Sequence, residues 1–358
     1  MKPNSASPTP PTGPRPRPIA ASMTAYRPPA ADPRIRLKLD ANEGRPPSAA
    51  TLNRAFMGLQ GAAHRYATPR RLEAILAEAH GVDPGKVLVA PGGDEAIDRV
   101  CRVFLEPGRR MVATTPSFEM IAHSGRSAGA TVTTIEWWDG PFPVTAALGI
   151  ASGAAVLSIV SPNNPTGSTI APADLIALSR GLPDTLLLVD LAYTEYAKTD
   201  LTPLALSLPN AVVIRTFSKF YGLAALRVGY AVGPEPAIRA MRAIGGPYPV
   251  AAFSLAAAEA CLTQPDPAVV AAAQLVTVER AHLADFLQGR GFICPPSSGN
   301  FVLAQHQRAA AIHESLLEHG VSVRRFSAPE LHDRLRITLP GNDADYHLLL
   351  NAIDAAVG

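Results

Sequence analysis

Val213-Ile214-Arg215-Thr216-Phe217-Ser218-Lys219-Phe220-Tyr221-Gly222 runs on through Leu223-Ala224-Ala225-Leu226 to Arg227-Val228-Gly229-Tyr230. The segment 211–214 is apolar and β-branched, the composition of a buried strand. Hydroxyls at Thr216 and Ser218 follow it, then a lysine, and Arg227 comes eight positions beyond, past a turn at Gly222. A lysine at the end of a buried strand loses its proton more easily than one in water, and a neutral amine forms Schiff bases. Two hydroxyls and a guanidinium nearby are the donors that a phosphate monoester takes. Amine chemistry beside a phosphate site points to an aldehyde-bearing phosphate ester. Taken alone, the stretch reads equally as a surface loop with one lysine.

Outward from this stretch, strand-like runs recur at 87–90, 111–115, 131–135, 154–160 and 185–189, most of them separated by helical patterns such as 172–182. That alternation predicts an α/β fold with a mostly parallel central sheet and helices on both faces. Ligands of such sheets collect at the C-terminal ends of the strands. Phe118, Asn164, Asp190, Tyr193 and Lys219 all fall at those ends. After 87–90, Gly92-Gly93 precede a helical pattern opened by Asp94 and Glu95, with Ile97, Val100, Cys101, Phe104 and Leu105 on one face. Glycines before a helix start leave N–H groups at its positive end, a common arrangement that also makes a phosphate site. Downstream, an Ala-rich helical pattern at 267–287 leaves the sheet. A strand at 300–303, a helix at 309–318, strands at 321–325 and 335–339 and a helix at 343–357 predict a smaller α+β domain. Upstream, order begins at 35–39, with helices expected at 48–59 and 71–80. The expected organisation is a disordered Pro-rich tail (1–34), an N-terminal arm or small-domain segment (35–60), a large cofactor-binding domain (61–280) and a small C-terminal domain (281–358).

The 358 residues are 47% hydrophobic, and 32 basic residues against 30 acidic ones leave a net charge of +2. Such a balance argues for neither nucleic acid nor an anionic membrane as partner. No stretch reaches the ~18 apolar residues of a membrane helix, and the N-terminus lacks the apolar core of a secretory signal, so a cytoplasmic protein is expected. Cys101, Cys261 and Cys294 lie far apart without a CxxC spacing, and the nine histidines show no paired ligand spacing. Neither a disulfide framework nor a metal site is expected.

Asp190 closes the apolar run 186–189. A carboxylate there keeps a pyridine nitrogen protonated, or it serves only as an end cap. Asn164, within Ser161-Pro162-Asn163-Asn164-Pro165-Thr166-Gly167, presents an amide to a ligand or simply makes a turn. On these stretches the sequence resembles the class I/II aminotransferases, pyridoxal 5′-phosphate (PLP) enzymes of fold type I, from about Leu37 to the C-terminus. The resemblance implies PLP as cofactor, Lys219 as its Schiff-base lysine and Asp190 as the partner of its ring nitrogen. It further implies that Asn164 and Tyr193 hydrogen-bond the cofactor's phenolic oxygen. Gly93, Asp94 and Glu95 match the family's phosphate-binding helix start, joined by Thr216, Ser218 and Arg227. Phe118 takes the place of a ring-stacking aromatic. Within the family, Leu39-Asp40-Ala41-Asn42-Glu43, Arg65-Tyr66 and Leu335-Arg336-Ile337-Thr338 are most similar to histidinol-phosphate aminotransferases. That likeness implies substrate contacts from Asn42, Arg324 and Arg336, and a homodimer in which Tyr66 reaches the neighbouring subunit's phosphate site. Arg324 also reads as a solvated strand residue beside Arg325.

The implied activity is transamination of small amino and keto acids, with Lys219, Asp190 and Tyr193 as catalytic residues. The narrower expectation is conversion of histidinol phosphate and 2-oxoglutarate to imidazole-acetol phosphate and glutamate, a step of histidine biosynthesis. An aromatic amino-acid aminotransferase is the main rival, and a phosphothreonine decarboxylase-like enzyme a further one. A non-catalytic PLP-binding module of a transcription regulator would carry a DNA-binding domain ahead of the fold, where this sequence has a short Pro-rich tail.

Overall fold

The computed structural model describes residues 13–14, 16–25, 32–59 and 63–358. In chain order its strands are β1 Leu37–Leu39, β2 Val87–Ala90, β3 Arg110–Thr115, β4 Thr131–Glu136, β5 Val156–Val160, β6 Leu186–Asp190, β7 Ala211–Thr216, β8 Gly229–Val232, β9 Phe301–Gln305, β10 Val321–Arg325 and β11 Arg334–Thr338. Among the described residues they form a seven-stranded sheet, in the order β2-β8-β7-β6-β5-β3-β4, and a four-stranded one, β1-β10-β11-β9.

The large sheet is parallel from β4 to β7 and reverses only at β8, which runs against both β7 and β2. Strands β5, β6 and β7 are buried along their whole length, as sheets covered on both faces require. Alternate side chains divide between two cores. Val156, Val160, Leu186, Leu188, Val212 and Ile214 meet the helices Gly93–Phe104 and Glu235–Ala243. Leu157, Ile159, Leu187, Val189, Ala211 and Val213 meet Val144–Ala151 and Pro172–Gly181 on the other face. The same period of two sends Asp190 and Thr216, which end the first series on their strands, towards the face that carries the helix Gly93–Phe104.

In the small sheet, β1 pairs in parallel with β10, Leu37 opposite Val321, so the N-terminal arm is built into the C-terminal α+β unit. Strand β11 lies between β10 and β9, antiparallel to both. The long helix Pro267–Gln288 connects the two sheets in the chain. The helices expected at 309–318 and 343–357 are present as Ala309–Glu318 and Asp343–Val357. Ser48 caps Ala49–Met57 by accepting the Thr51 N–H, and Gly81, at φ 64, ends Arg70–His80.

Strand β8 was not expected. It follows Arg227, whose left-handed backbone (φ 51) interrupts the run, and four residues are too few to carry a period. Within the expected tail, Pro18–Ser22 is a helical turn, started by a proline that pre-sets φ, and Arg17 donates to the Ser127 carbonyl (3.3 Å). The rest of the expected tail, residues 1–12, 15 and 26–31, lies outside the described residues. None of the described helices is long and apolar enough to cross a membrane.

Candidate active site

Lys219 leaves the end of β7 after a tight turn in which the Ser218 N–H donates to Thr216 Oγ1 (3.1 Å). Its Nζ donates to the carbonyl of Ala41 (2.9 Å) and lies 5.7 Å from the centre of the Tyr193 ring. Burial, with the positive charge of Arg336 adding to it, lowers the amine to about 8. Asp94 and Glu43 oppose that shift. The arm that supplies Ala41 lies flush on the lysine loop. A methyl on Gly44 would overlap the carbonyl oxygen of Lys219, and one on Gly222 would overlap that of Arg45.

Asp190 is 4% exposed, and among the described residues its carboxylate is held by one amide, Ala192 N–H at 3.0 Å. Burial raises this carboxyl to about 7, the Ala192 hydrogen bond opposes, and Asp94 adds to the rise while Lys219 counters it. A buried carboxylate so weakly compensated is suited to a cationic partner that arrives with a ligand.

The residues expected to cradle a phosphate lie on the same face. Gly92, at φ 88, precedes the helix Gly93–Phe104, whose first N–H groups carry the positive end of the dipole. Arg227 lies against Gly92, where an added Cβ would come within 2.6 Å of its Nη2. The same guanidinium donates to Ser218 Oγ (3.3 Å) and to Asp94 Oδ2 (3.0 Å). Thr216 is buried beside Gly93. The expected members of this cradle therefore meet. Glu95 turns its carboxylate along the helix to Arg99 (2.7 Å), a guanidinium only 1% exposed, because a buried charge needs a counterion. The carboxylate of Asp94 holds Arg227. What Asp94 and Glu95 offer a phosphate is main-chain N–H.

On the opposite side, Arg336 donates to Asn164 Oδ1 (2.6 Å) and to the Asp40 carbonyl (2.7 Å), joining small sheet, large domain and arm. Arg324 sits directly across from Arg336 in the β10–β11 register. Phe118 caps the helix Glu119–Ser127 and is half-buried against the core that contains Ile97 and Ile121. Asn42 does not face open space. It is 1% exposed, with its amide on Tyr193 and Thr338. Tyr66 stands apart from this site: 81% exposed, it stacks on Tyr248 with ring centroids 4.5 Å apart.

Sequence reasoning missed the Ala41 carbonyl, Thr338 and Asn300. Thr338 had a signal, since it lies two residues after Arg336 on one strand and so shares its face. A main-chain carbonyl and Asn300, whose amide donates to the Asn42 carbonyl (3.2 Å), had none.

The family model for aminotransferase class I and II matches residues 36–353. Histidinol-phosphate aminotransferases of Dinoroseobacter shibae and Symbiobacterium thermophilum are 35% and 36% identical to the chain over 330 and 334 residues. The matches cover 89% and 90% of this chain, and 90% and 91% of those proteins. Among solved structures, histidinol-phosphate aminotransferase from Sinorhizobium meliloti in complex with pyridoxal-5′-phosphate matches with a TM-score of 0.85 and 26% identity, covering 95% of this chain and 96% of that one. The donor set fits that cofactor: a cradle for its phosphate, a buried carboxylate for its ring nitrogen and a lowered amine for its aldehyde.

Proposed function

The chain belongs to the aminotransferase class I and II family, and on that premise we propose that this PLP-dependent transaminase exchanges the amino group of histidinol phosphate with 2-oxoglutarate, in histidine biosynthesis. One observation carries the substrate choice. Arg324 and Arg336 are register partners in an antiparallel pair, so both side chains leave the same face of the small sheet. Two arginines on one face favour a doubly charged anion, since their forked donors match phosphate and carboxylate oxygens. The two curated relatives named above carry the same activity in their names.

PLP, when bound, supplies an aldehyde that takes up the amino group and a cationic ring that withdraws electrons from the substrate's Cα. Asp190 holds the positive charge on the ring nitrogen. Gly93, Asp94 and Glu95 main-chain N–H groups, with Ser218 and Arg227, hold the phosphate, and Thr216 orients Ser218. Lys219 Nζ would take the proton from the substrate's Cα as general base and, once protonated, give it up again as general acid. Arg336 fixes an anionic group of the substrate so that the Cα–H bond faces that amine.

Steady-state rates with histidinol phosphate and with phenylalanine test the choice. The expected result is a higher kcat/KM for histidinol phosphate. Arg324→Ala should lower that value about 10–100-fold, the worth of a hydrogen bond to a charged group, and leave the phenylalanine rate nearly unchanged. A better kcat/KM for phenylalanine would make the enzyme an aromatic aminotransferase.

The active unit is proposed to be a homodimer. Tyr66, Tyr248, Phe253 and Met57 are large apolar groups at 81%, 49%, 46% and 63% exposure. Tyr66 and Tyr248 stack on each other, and Phe253 packs edge-on to Phe56 of the helix Ala49–Met57. A second copy covering this face would bring Tyr66 to its neighbour's cradle. Sedimentation equilibrium should return twice the monomer mass; a monomer with full activity would refute the arrangement.

A further inference from the structure

Behind Tyr193 a chain of hydrogen bonds has a single direction. It begins at the main-chain N–H of Asn42, which donates to Thr338 Oγ1 (3.1 Å). An N–H is only a donor, so this oxygen accepts there and its own proton turns elsewhere. The acceptor at hand is Asn42 Oδ1, 3.1 Å away. With the carbonyl end of the amide fixed on Thr338, the Nδ2 end faces Tyr193 Oη and donates to it (2.9 Å). The phenol oxygen is therefore an acceptor on the Asn42 side. Its proton is left for the other side, where Lys219 approaches the ring.

The start of this chain is rigidly held. Asn42 takes a left-handed backbone (φ 53), and Asn300 Nδ2 grips its carbonyl (3.2 Å). Tyr193 and Asn42 are 4% and 1% exposed, and Thr338 is 2% exposed, so water does not compete for these bonds. Burial keeps the Tyr193 phenol near 12, with Arg336 and the Asn42 hydrogen bond pulling the other way, so it retains its proton to donate.

We propose that Asn42 and Thr338 are positioning residues that hold the Tyr193 hydroxyl as a hydrogen-bond donor towards the cofactor. The inference deepens the site assignment above and rests on it. Asn42 acts here through Tyr193, in place of the substrate contact that the sequence likeness implied.

The test is a pH titration of the visible absorption band of the PLP-loaded protein without substrate. A hydroxyl donated to the cofactor's phenolic oxygen favours the deprotonated form of the chromophore, so losing it raises the midpoint. Tyr193→Phe sets the full shift, about one pH unit for a hydrogen bond to a charged group. Asn42→Asp offers Tyr193 only acceptors and should draw its proton away, raising the midpoint by a similar amount. Thr338→Val keeps the shape but releases the amide to turn over, and should give an intermediate rise. Thr338→Ser should restore the wild-type midpoint. Arg336, Asp190, Asp94 and Lys219, the charged groups around the phenol, are the same in all four variants. A role confined to packing would lower the melting temperature of Thr338→Val and leave its midpoint where it was, which overturns the proposal. So does an unchanged midpoint in Asn42→Asp, the result expected if the amide sits the other way round. A wild-type protein that takes up no PLP and shows no such band would instead overturn the site assignment itself.

Discussion

Lys219→Ala is expected to lower kcat/KM for transamination by about four orders of magnitude, the upper end of what one positioned acid–base group contributes. Fold stability should survive the change. The amine is buried and pushed down to about 8, so the folded protein gains little from it, and its hydrogen bond among the described residues goes to the main-chain carbonyl of Ala41. The same lowered amine predicts a pH dependence. A neutral Nζ is needed to attack an aldehyde, and its neutral fraction rises about tenfold between pH 7 and pH 9 for a midpoint near 8. Stopped-flow uptake of PLP by the cofactor-free protein should accelerate by that factor and level off above pH 9. A residual rate within tenfold of wild type in the alanine variant, or uptake independent of pH, would remove Lys219 from its role.

Asp190→Asn is expected to act in opposite directions on catalysis and on stability. Loss of the carboxylate removes the charge that holds the ring nitrogen cationic, at a cost of about 10²–10³ in kcat, the scale of one preorganised electrostatic contact. In the cofactor-free protein, however, the native carboxyl is raised from 3.8 to about 7 by burial. A raised acid binds its proton more tightly when folded. Its stabilising effect is complete below the unfolded value and is lost as pH climbs through the folded one. Cofactor-free wild type should thus lose about 4 kcal/mol between pH 4 and pH 7 from this group, three pH units at ~1.4 kcal/mol each. The asparagine variant has no proton to lose. Urea unfolding of cofactor-free protein should show the variant more stable at pH 8 and the two converging towards pH 4. With PLP bound, the order should reverse at pH 8. Parallel pH curves for the two cofactor-free proteins would contradict the burial that raises Asp190.

Much of the large domain is legible in local composition. β5, β6 and β7 are short apolar runs with helical patterns between them, and polar residues at their ends fall where parallel sheets gather ligands. Period two then places Asp190 and Thr216 on the face of the helix Gly93–Phe104, so these parts of the site follow from strand geometry once the register is known. The small sheet was less legible, since β1 is three residues long and its partner β10 lies near the other end of the chain. A pairing across such a distance leaves no periodic trace.

Residue identity by itself determined which groups are available: an amine after a buried strand, a carboxylate closing another, glycines ahead of a helix and arginines on a late strand. Only the tertiary structure decided what each one faces. It set Asn42 behind Tyr193, laid the Ala41 carbonyl on the lysine and left Tyr66 exposed beside Tyr248. The physical reason is common to all three. A strand or helix period aims a side chain at a face, but a hydrogen bond or a stacked ring depends on which distant segment is folded against that face.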